Sequence, residues 1–577
     1  MKRWSGRVAA LLALGSAGLA SATPQPGLSI TGVDGAVRDN IAAYLDVSGY
    51  RCEQSRWRLR RLTETSQDRA GEALRAFGHY SPTLAVDTRQ DEDCWTLVVT
   101  VDPGPEVTLG EVEVAVSGEL GRTREVRALL AQPTLRPGAP LRHAEYDGLK
   151  NEIEALAQRF GYFEGRYTEH RLEVDPERAI ANIRLRYEAG TRSRFGEVTL
   201  HQEQFDSHFV ESFLTLRPGT PYDSRLLARQ QVLLGDTGYF SEIDIDIDTR
   251  ASAAEDHDIP VDIRLTPAKR SLQRIGIGAS TDVGPRLSYR FNHRWFNRQG
   301  HFYKFSTGVA PVRQEVIFDY AIPLGDLGRT RLDLKTGFQA EDTATFDSKT
   351  LKFGAYYTQA LPRDWTRSFF VEYLSEDFRT ADTERRVDLL MPGIRLQRIR
   401  SDHPLFPSRG YRLFLKVQGG VEGILSDLDV VQATANLKLI EPLGKGRVLA
   451  RGGAGTTKVP DFERFPASLR FFAGGDGSVR GYAFKSLGPE QDGEVIGGRH
   501  LLTGSLEFEY PVRDRWSVAA FTDVGNAFDT FADYELRSSV GVGVRWRSPI
   551  GPVRLDLAYG LERDSGIRLH LSMGPDL

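Results

Sequence analysis

The sequence predicts an α+β region of three small periplasmic domains followed by a transmembrane antiparallel β-barrel. Three observations carry that expectation. An export signal opens the chain, a unit of about 80 residues then recurs three times, and the remainder alternates apolar and polar residues in segments of roughly ten.

In the export signal, Lys2, Arg3 and Arg7 precede the apolar run "VAALLALGSAGLA", and Ala20-Ser21-Ala22 supplies an A-x-A cleavage site. The run is shorter than the ~20 apolar residues a spanning helix needs. Residues 1–22 are therefore expected to be a cleaved signal peptide, with the mature chain beginning near Thr23. No later stretch approaches ~18 consecutive apolar residues, which excludes helical spans and leaves a membrane barrel open. With 57 Gly, 20 Tyr and 30 Phe, the composition favours β-structure. A formal net charge of -4 gives no large basic field, so no nucleic-acid partner is expected. The only cysteines are Cys52 and Cys94. An oxidising periplasm lets them form a disulfide, and two buried thiols are the alternative. Cys94 opens the strand-like "CWTLVVTV", and Cys52 begins a segment with a helical look.

The repeat is read from recurring words. "RFGYFEGRY" around Gly161 matches "DTGYFSEID" around Gly238, with a weaker "AFGHYSPTL" around Gly78. "LRPGAPL" at 135–141 returns as "LRPGTPY" at 216–222, and "LGEVEV" at 109–114 as "FGEVTL" at 195–200. Within the second unit, Tyr146, Leu149, Ile153, Leu156 and Phe160 form one helical stripe, while Val112 and Val114 alternate with Glu111 and Glu113. Each unit reads as strand, two helices, two strands, over 23–106, 107–191 and 192–267. In the third, Ile243, Ile245 and Ile247 alternate with Asp244, Asp246 and Asp248. That acidic face lacks the turn glycine and distal glutamate of a calcium loop and reads as a solvated strand face, so no metal is assigned.

From residue 268 to 577 the period is two. Val540, Val542, Val544 and Trp546 oppose Ser539, Gly541, Gly543, Arg545 and Arg547. Val553, Leu555, Leu557 and Tyr559 oppose Arg554, Asp556, Ala558 and Gly560, and Ile567, Leu569, Leu571 and Met573 oppose Arg568, His570 and Ser572. No helical stripe is present to cover a sheet, so apolar-out, polar-in strands fit an outer-membrane barrel. Dividing ~310 residues at about 19 per strand and connection gives about 16 strands, in a range of roughly 14 to 18.

"GGDGSVRGY", from Gly474 to Tyr482, resembles the VRGY-type signature of the outer-membrane insertase superfamily, whose members include BamA, TamA and the two-partner secretion transporters. That superfamily also carries an F-x-D-x-G strand, matched by Phe521-Thr522-Asp523-Val524-Gly525. "SDHPLFPSRGY" at 401–411 resembles a further family segment. The likeness spans the mature chain, because the repeated units are similar to POTRA domains and the remainder to the family's 16-stranded barrel. BamA typically has five such units and the two-partner transporters two. Three units, the first lacking "LRPG" and carrying the cysteines, resemble the TamA subfamily.

The resemblance implies that Gly474, Gly475, Val479, Arg480, Gly481 and Tyr482 lie on a loop folded into the lumen, with Arg480 meeting Asp523 between Phe521 and Gly525. Alternation in "WSVAAFTDVG" independently turns Asp523 inward with Ser517 and Ala519. It also implies a lateral gate between the first strand (Ile275, Gly276, Ile277, Gly278) and the last (Gly566, Leu569, Leu571, Met573). His570 is expected to face lumen water. The implied function is assembly or translocation of outer-membrane proteins, with a TamB-like inner-membrane-anchored partner on the first unit, unfolded clients and outer-membrane lipid. A two-partner-type transporter or passive channel is the alternative. The sequence has no G-x-S-x-G elbow, H-E-x-x-H helix or Walker loop, so neither an enzyme nor a cofactor is expected.

Overall fold

The computed structural model describes residues 25–131, 135–253, 257–325, 329–381, 383–532, 534–549, 551–562 and 566–574. The expected signal peptide, residues 1–22, lies outside the described residues. The chain divides into two compact units, one of residues up to 197 with 218–226 and 247–260, the other of 198–217, 227–246 and 261–577.

The first repeat comprises β1 (Gly27–Thr31), α1 (Gly35–Tyr44), α2 (Arg56–Arg75), β2 (Thr83–Gln90) and β3 (Trp95–Asp102), with sheet order β1-β3-β2. Alternation buries Leu97, Val99 and Val101 of β3 against Ile41 of α1 and Leu62, Ala70 and Leu74 of α2. A disulfide joins Cys52 to Cys94 with Cα atoms 4.7 Å apart. Because α2 begins only at Arg56, Cys52 sits in the loop before it and not on a helical segment.

The second repeat has β4 (Thr108–Val116), α3 (Arg124–Leu130), α4 (His143–Arg159), β5 (Arg166–Asp175) and β6 (Ile180–Glu188), in order β4-β6-β5. Thr123 caps α3 by accepting from Val126 N at 3.3 Å. The α4 stripe is inside as its spacing requires, with Tyr146, Ile153 and Phe160 buried.

The third has β7 (Arg194–His201), α5 (Ser207–Glu211), α6 (Ser224–Asp236), β8 (Phe240–Ile247) and β9 (Asp258–Pro267), in order β7-β9-β8. Ile243, Ile245 and Ile247 are half-buried, and Arg264 spans Asp244 and Asp246 on the wet face.

Sixteen strands then form one antiparallel sheet. The first are β10 (Ser271–Ser280), β11 (Gly284–His293), β12 (Phe302–Val309), β13 (Arg313–Pro323), β14 (Thr330–Asp342) and β15 (Asp347–Leu361). Next come β16 (Trp365–Thr380), β17 (Thr383–Ser401), β18 (Gly410–Gly420), β19 (Val430–Leu443) and β20 (Gly446–Lys458). A two-residue ladder of β21 (Glu490–Gln491) and β22 (Glu494–Val495) lies in the following loop. The sheet resumes with β23 (His500–Arg513), β24 (Trp516–Phe528), β25 (Arg537–Ser548), β26 (Gly551–Gly560) and β27 (Ile567–Met573).

Every strand pairs with its neighbour in sequence, so short turns suffice, and residues 459–499 between β20 and β23 are the exception. Val540, Val542, Val544 and Trp546 face outward while Ser539 and Arg545 are buried inside. The long loop folds into that interior. Its Phe462 and Phe465 pack with Phe378, Leu389 and Met391 of β16 and β17, which closes part of the lumen with apolar surface. Among the described residues no helix is long and apolar enough to cross a membrane.

Candidate functional site

One cation, Arg480, lies between Gly474 and Tyr482, and its chain neighbours bring it to the wall. Val479 is fully buried with Ala473 and Leu487, and Tyr482 Oη donates to Ser538 O at 3.3 Å. Gly475 N donates to Tyr482 O at 3.2 Å, and Ser478 Oγ to Gly474 O at 3.1 Å, which closes the turn. Gly481 has φ 94°, and a Cβ there would stand 2.9 Å from Gly560 N on β26. Only glycine lets the loop backbone approach the wall so closely in that conformation.

Arg480 is 3% exposed and Asp523 1%. The guanidinium forks onto the carboxylate, Nε to Oδ2 at 2.7 Å and Nη2 to Oδ1 at 2.9 Å, and the Arg480 backbone N adds a third bond to Oδ2 at 3.1 Å. The Phe521 ring lies beneath it, 3.3 Å from the guanidinium carbon to the ring centroid. Gly525 pairs with Thr503 on β23, one inward position beyond Asp523 on β24.

Arg480 and Asp523 are two members of a larger array. Arg480 Nη1 also donates to Glu507 Oε2 at 2.8 Å and Asp556 Oδ2 at 3.0 Å. Arg545 Nη2 donates to Glu507 Oε1 at 2.7 Å, and its Nη1 to Asp556. Arg451 lies 3.7 Å from Asp523 Oδ1 and donates to Ser505 Oγ at 3.0 Å. Three guanidiniums thus meet three carboxylates, and their charges balance. Burial pulls Arg480 toward neutrality, but its bonds to Asp523 and the fields of Asp523, Glu507 and Asp556 outweigh that and hold it charged.

Alternation places Arg545 and Asp556 on the inward face, yet sequence reasoning did not join them to Arg480. The missing signal is register. Asp556 sits opposite Gly543, and a Cβ at 543 would stand 2.5 Å from Arg545 Nη1, so this glycine opens the space for the Arg545 to Asp556 contact.

Beside this array lies the seam. Strands β10 and β27 are the two ends of the sheet order, and no ladder joins them among the described residues. Thr281 N donates to Leu571 O at 3.1 Å, and Leu571 N to Thr281 Oγ1 at 3.3 Å. Ile275 and Ile277 are 75% and 80% exposed, Gly276 lies beside Ser288, and Gly278 faces open space. Leu569 and Met573 are exposed and Leu571 is half-buried, while Gly566 falls just before β27.

His570 does not face lumen water as expected. It is 5% exposed, because the folded loop fills the space in front of it. Its Nε2 accepts from Gly481 N at 2.9 Å, and its Nδ1 meets Asp476 Oδ1 at 2.6 Å. Asp282, Asp476 and His570 each offer a ligand-type atom within 4.8 Å of the others. The hydrogen bonds argue against metal ligation: a backbone N–H can only donate, so Nε2 is the acceptor and Nδ1 carries the proton of the neutral ring. That leaves no nitrogen lone pair for an ion. Burial, and then the nearby Asp476 carboxylate, push Asp282 up to about 7.

The chain matches the Omp85 superfamily domain over residues 273–575 and the POTRA domain TamA domain 1 over residues 27–103. It is 25% identical over 383 residues to the outer membrane protein assembly factor BamA of Nitratidesulfovibrio vulgaris, covering 61% of this chain and 46% of the relative. Against BamA of Neisseria meningitidis it is 23% identical over 560 residues, 83% of this chain and 67% of that one. The chain thus spans about half the length of the first of these relatives. The crystal structure of BamA from Haemophilus ducreyi lacking POTRA domains 1-3 superposes with TM-score 0.68 at 16% identity, over 81% of this chain and 99% of that one, which shows a shared fold. The protein is an outer-membrane β-barrel with its N-terminal domains in the periplasm. With the domain match covering the barrel, its lumen loop and its seam, the chain belongs to the Omp85 superfamily.

Proposed function

We propose that the protein is a TamA-type assembly factor that inserts or translocates β-barrel and autotransporter proteins through its own seam. The observation that carries this reading is the unladdered junction of β10 and β27 in a sheet whose other strands all pair. A closed barrel has no free edge, whereas an assembly factor must offer a client strand one. Exposed Ile275 and Ile277 on β10, with little packed inside them, make that strand the edge to lend.

The lumen loop has a task in the same scheme. Arg480, held by Asp523, Glu507 and Asp556, fixes the loop's register against β23 to β26. Apolar packing of Phe462 and Phe465 in the lumen weighs against a passive channel. The match of residues 27–103 to a TamA first domain supports a TamB-like inner-membrane-anchored partner docked on that unit.

Depletion followed by outer-membrane proteomics tests the function. An assembly factor loses specific barrel proteins from the membrane, whereas a channel changes permeation and leaves the proteome intact.

A further inference from the structure

The polar chain that crosses the seam runs through the lumen loop. Asp476, four residues before Arg480, accepts from Thr281 Oγ1 at 3.0 Å and from His570 Nδ1 at 2.6 Å, both through Oδ1. Its backbone N donates to Asp282 Oδ2 at 2.8 Å. Thr281 and Asp282 belong to the turn that ends β10, and His570 belongs to β27. One loop residue therefore holds the strands on both sides of the junction, and Gly481 N, bonded to His570 Nε2, makes a second link from the same loop.

We propose that Asp476 is a positioning residue that clasps the two seam strands to the lumen loop, with Asp282, Thr281 and His570 as its partners, so that the seam parts only as the loop lets go. The meaning of seam opening rests on the assembly reading, but the clasp does not. Two features suit it to release. Only a few bonds span the junction, and Asp476 Oδ2 is buried with no hydrogen-bond partner among the described residues, so the carboxylate is held at less than its full capacity. His570 is a bridge with a fixed sense: it accepts from the loop on one side and donates to the loop on the other. The Arg480 array next to it is charge-balanced and ties the loop to β24, with Arg451 also donating to Asp476 O at 3.1 Å, whereas the Asp476 carboxylate attachment at the seam rests on a few bonds.

Spin labels test the clasp on the full chain in lipid vesicles without any client. Cys52 and Cys94 are tied together, so labels attach only to an introduced pair, Ala279→Cys with Met573→Cys, two residues that line one cavity at the seam. The unaltered clasp gives one short distance. Asp476→Ala, which removes the shared Oδ1 acceptor, and His570→Leu each add a longer-distance population, with the open-to-closed ratio rising about fivefold per bond lost. The two single variants share the His570 to Asp476 bond, so the double variant loses one bond more than either and its ratio rises about fivefold beyond the singles, short of the product of their effects. His570→Gln, whose amide still offers an acceptor and a donor, recovers part of the short population, which a role in packing alone would not produce. Thr281→Val serves where His570→Leu does not fold. Folded variants with the distance distribution unchanged overturn the clasp and leave the assembly reading standing. A widened seam with an unaltered outer-membrane proteome on depletion supports the clasp and removes the assembly reading.

Discussion

At the scale of single residues, balance is the central property of the Arg480 array. Two cations engage Glu507 and Asp556 jointly, so no pair in it is independent. Asp523→Ala leaves Arg480 buried without its forked partner, a change of about 3 to 5 kcal/mol. It is expected to make residues 474–482 sensitive to protease and to lower complementing activity, whereas Asp523→Glu retains part of both. Coupling reaches further than the pair: a double-mutant cycle on Arg545 and Asp523, which do not touch, is expected to show an interaction energy above ~0.5 kcal/mol, read from barrel unfolding. Asp282 supplies a pH dependence of the opposite sense to an ordinary ion-paired carboxylate. Its folded value, about 7, lies above the usual ~3.9. Between those values the folded turn holds a proton that the unfolded chain lacks, so its contribution is full at low pH and fades as pH rises through about 7. Protection of the amides at 281–283, corrected for the base catalysis of exchange itself, should fall as pH rises from about 4 to about 7, and Asp282→Asn should remove that fall. Asp523 was legible as an inward carboxylate from alternation alone. Glu507 and Asp556 were not legible as its companions, because that needs the register of four adjacent strands, which no local pattern encodes.

At the scale of elements, the loop and the two seam strands depart from the pattern around them. Alternation made the inward faces of β24 to β27 directly readable, and turn spacing gave the number of barrel strands as about 16 without their boundaries. The last strand was readable from its clean alternation and the first as weakly packed through Gly276 and Gly278, whereas their junction as a seam came from the family resemblance. His570 was misread for a related reason. Alternation turned it inward correctly, but whether an inward residue meets water or protein depends on a loop some 90 positions away in sequence folding back over it. Among the periplasmic units, the first carries a cross-link that closes 42 positions of chain. The entropy of that closure corresponds to about 4 kcal/mol. Cys52→Ala with Cys94→Ala is expected to lower the unfolding midpoint of the first unit, followed by the fluorescence of buried Trp95, while the barrel transition stays where it was.

At the scale of the whole molecule, the chain joins three small periplasmic domains to a membrane sheet that is continuous except at one junction. Sixteen strands arranged in sequence order leave β10 and β27 as the two ends, and the loop that folds into the lumen is fixed to the wall beside that junction. The central claim is that the junction must open for the protein to act. It is tested by closing it. Ala279→Cys with Met573→Cys, oxidised in living cells, locks β10 to β27, and the outer-membrane proteome is then measured before and after reduction, beside the unaltered chain treated in the same way. The locked form is expected to lose the same barrel proteins as depletion, and reduction to restore them. A locked seam with the proteome unchanged would contradict the claim.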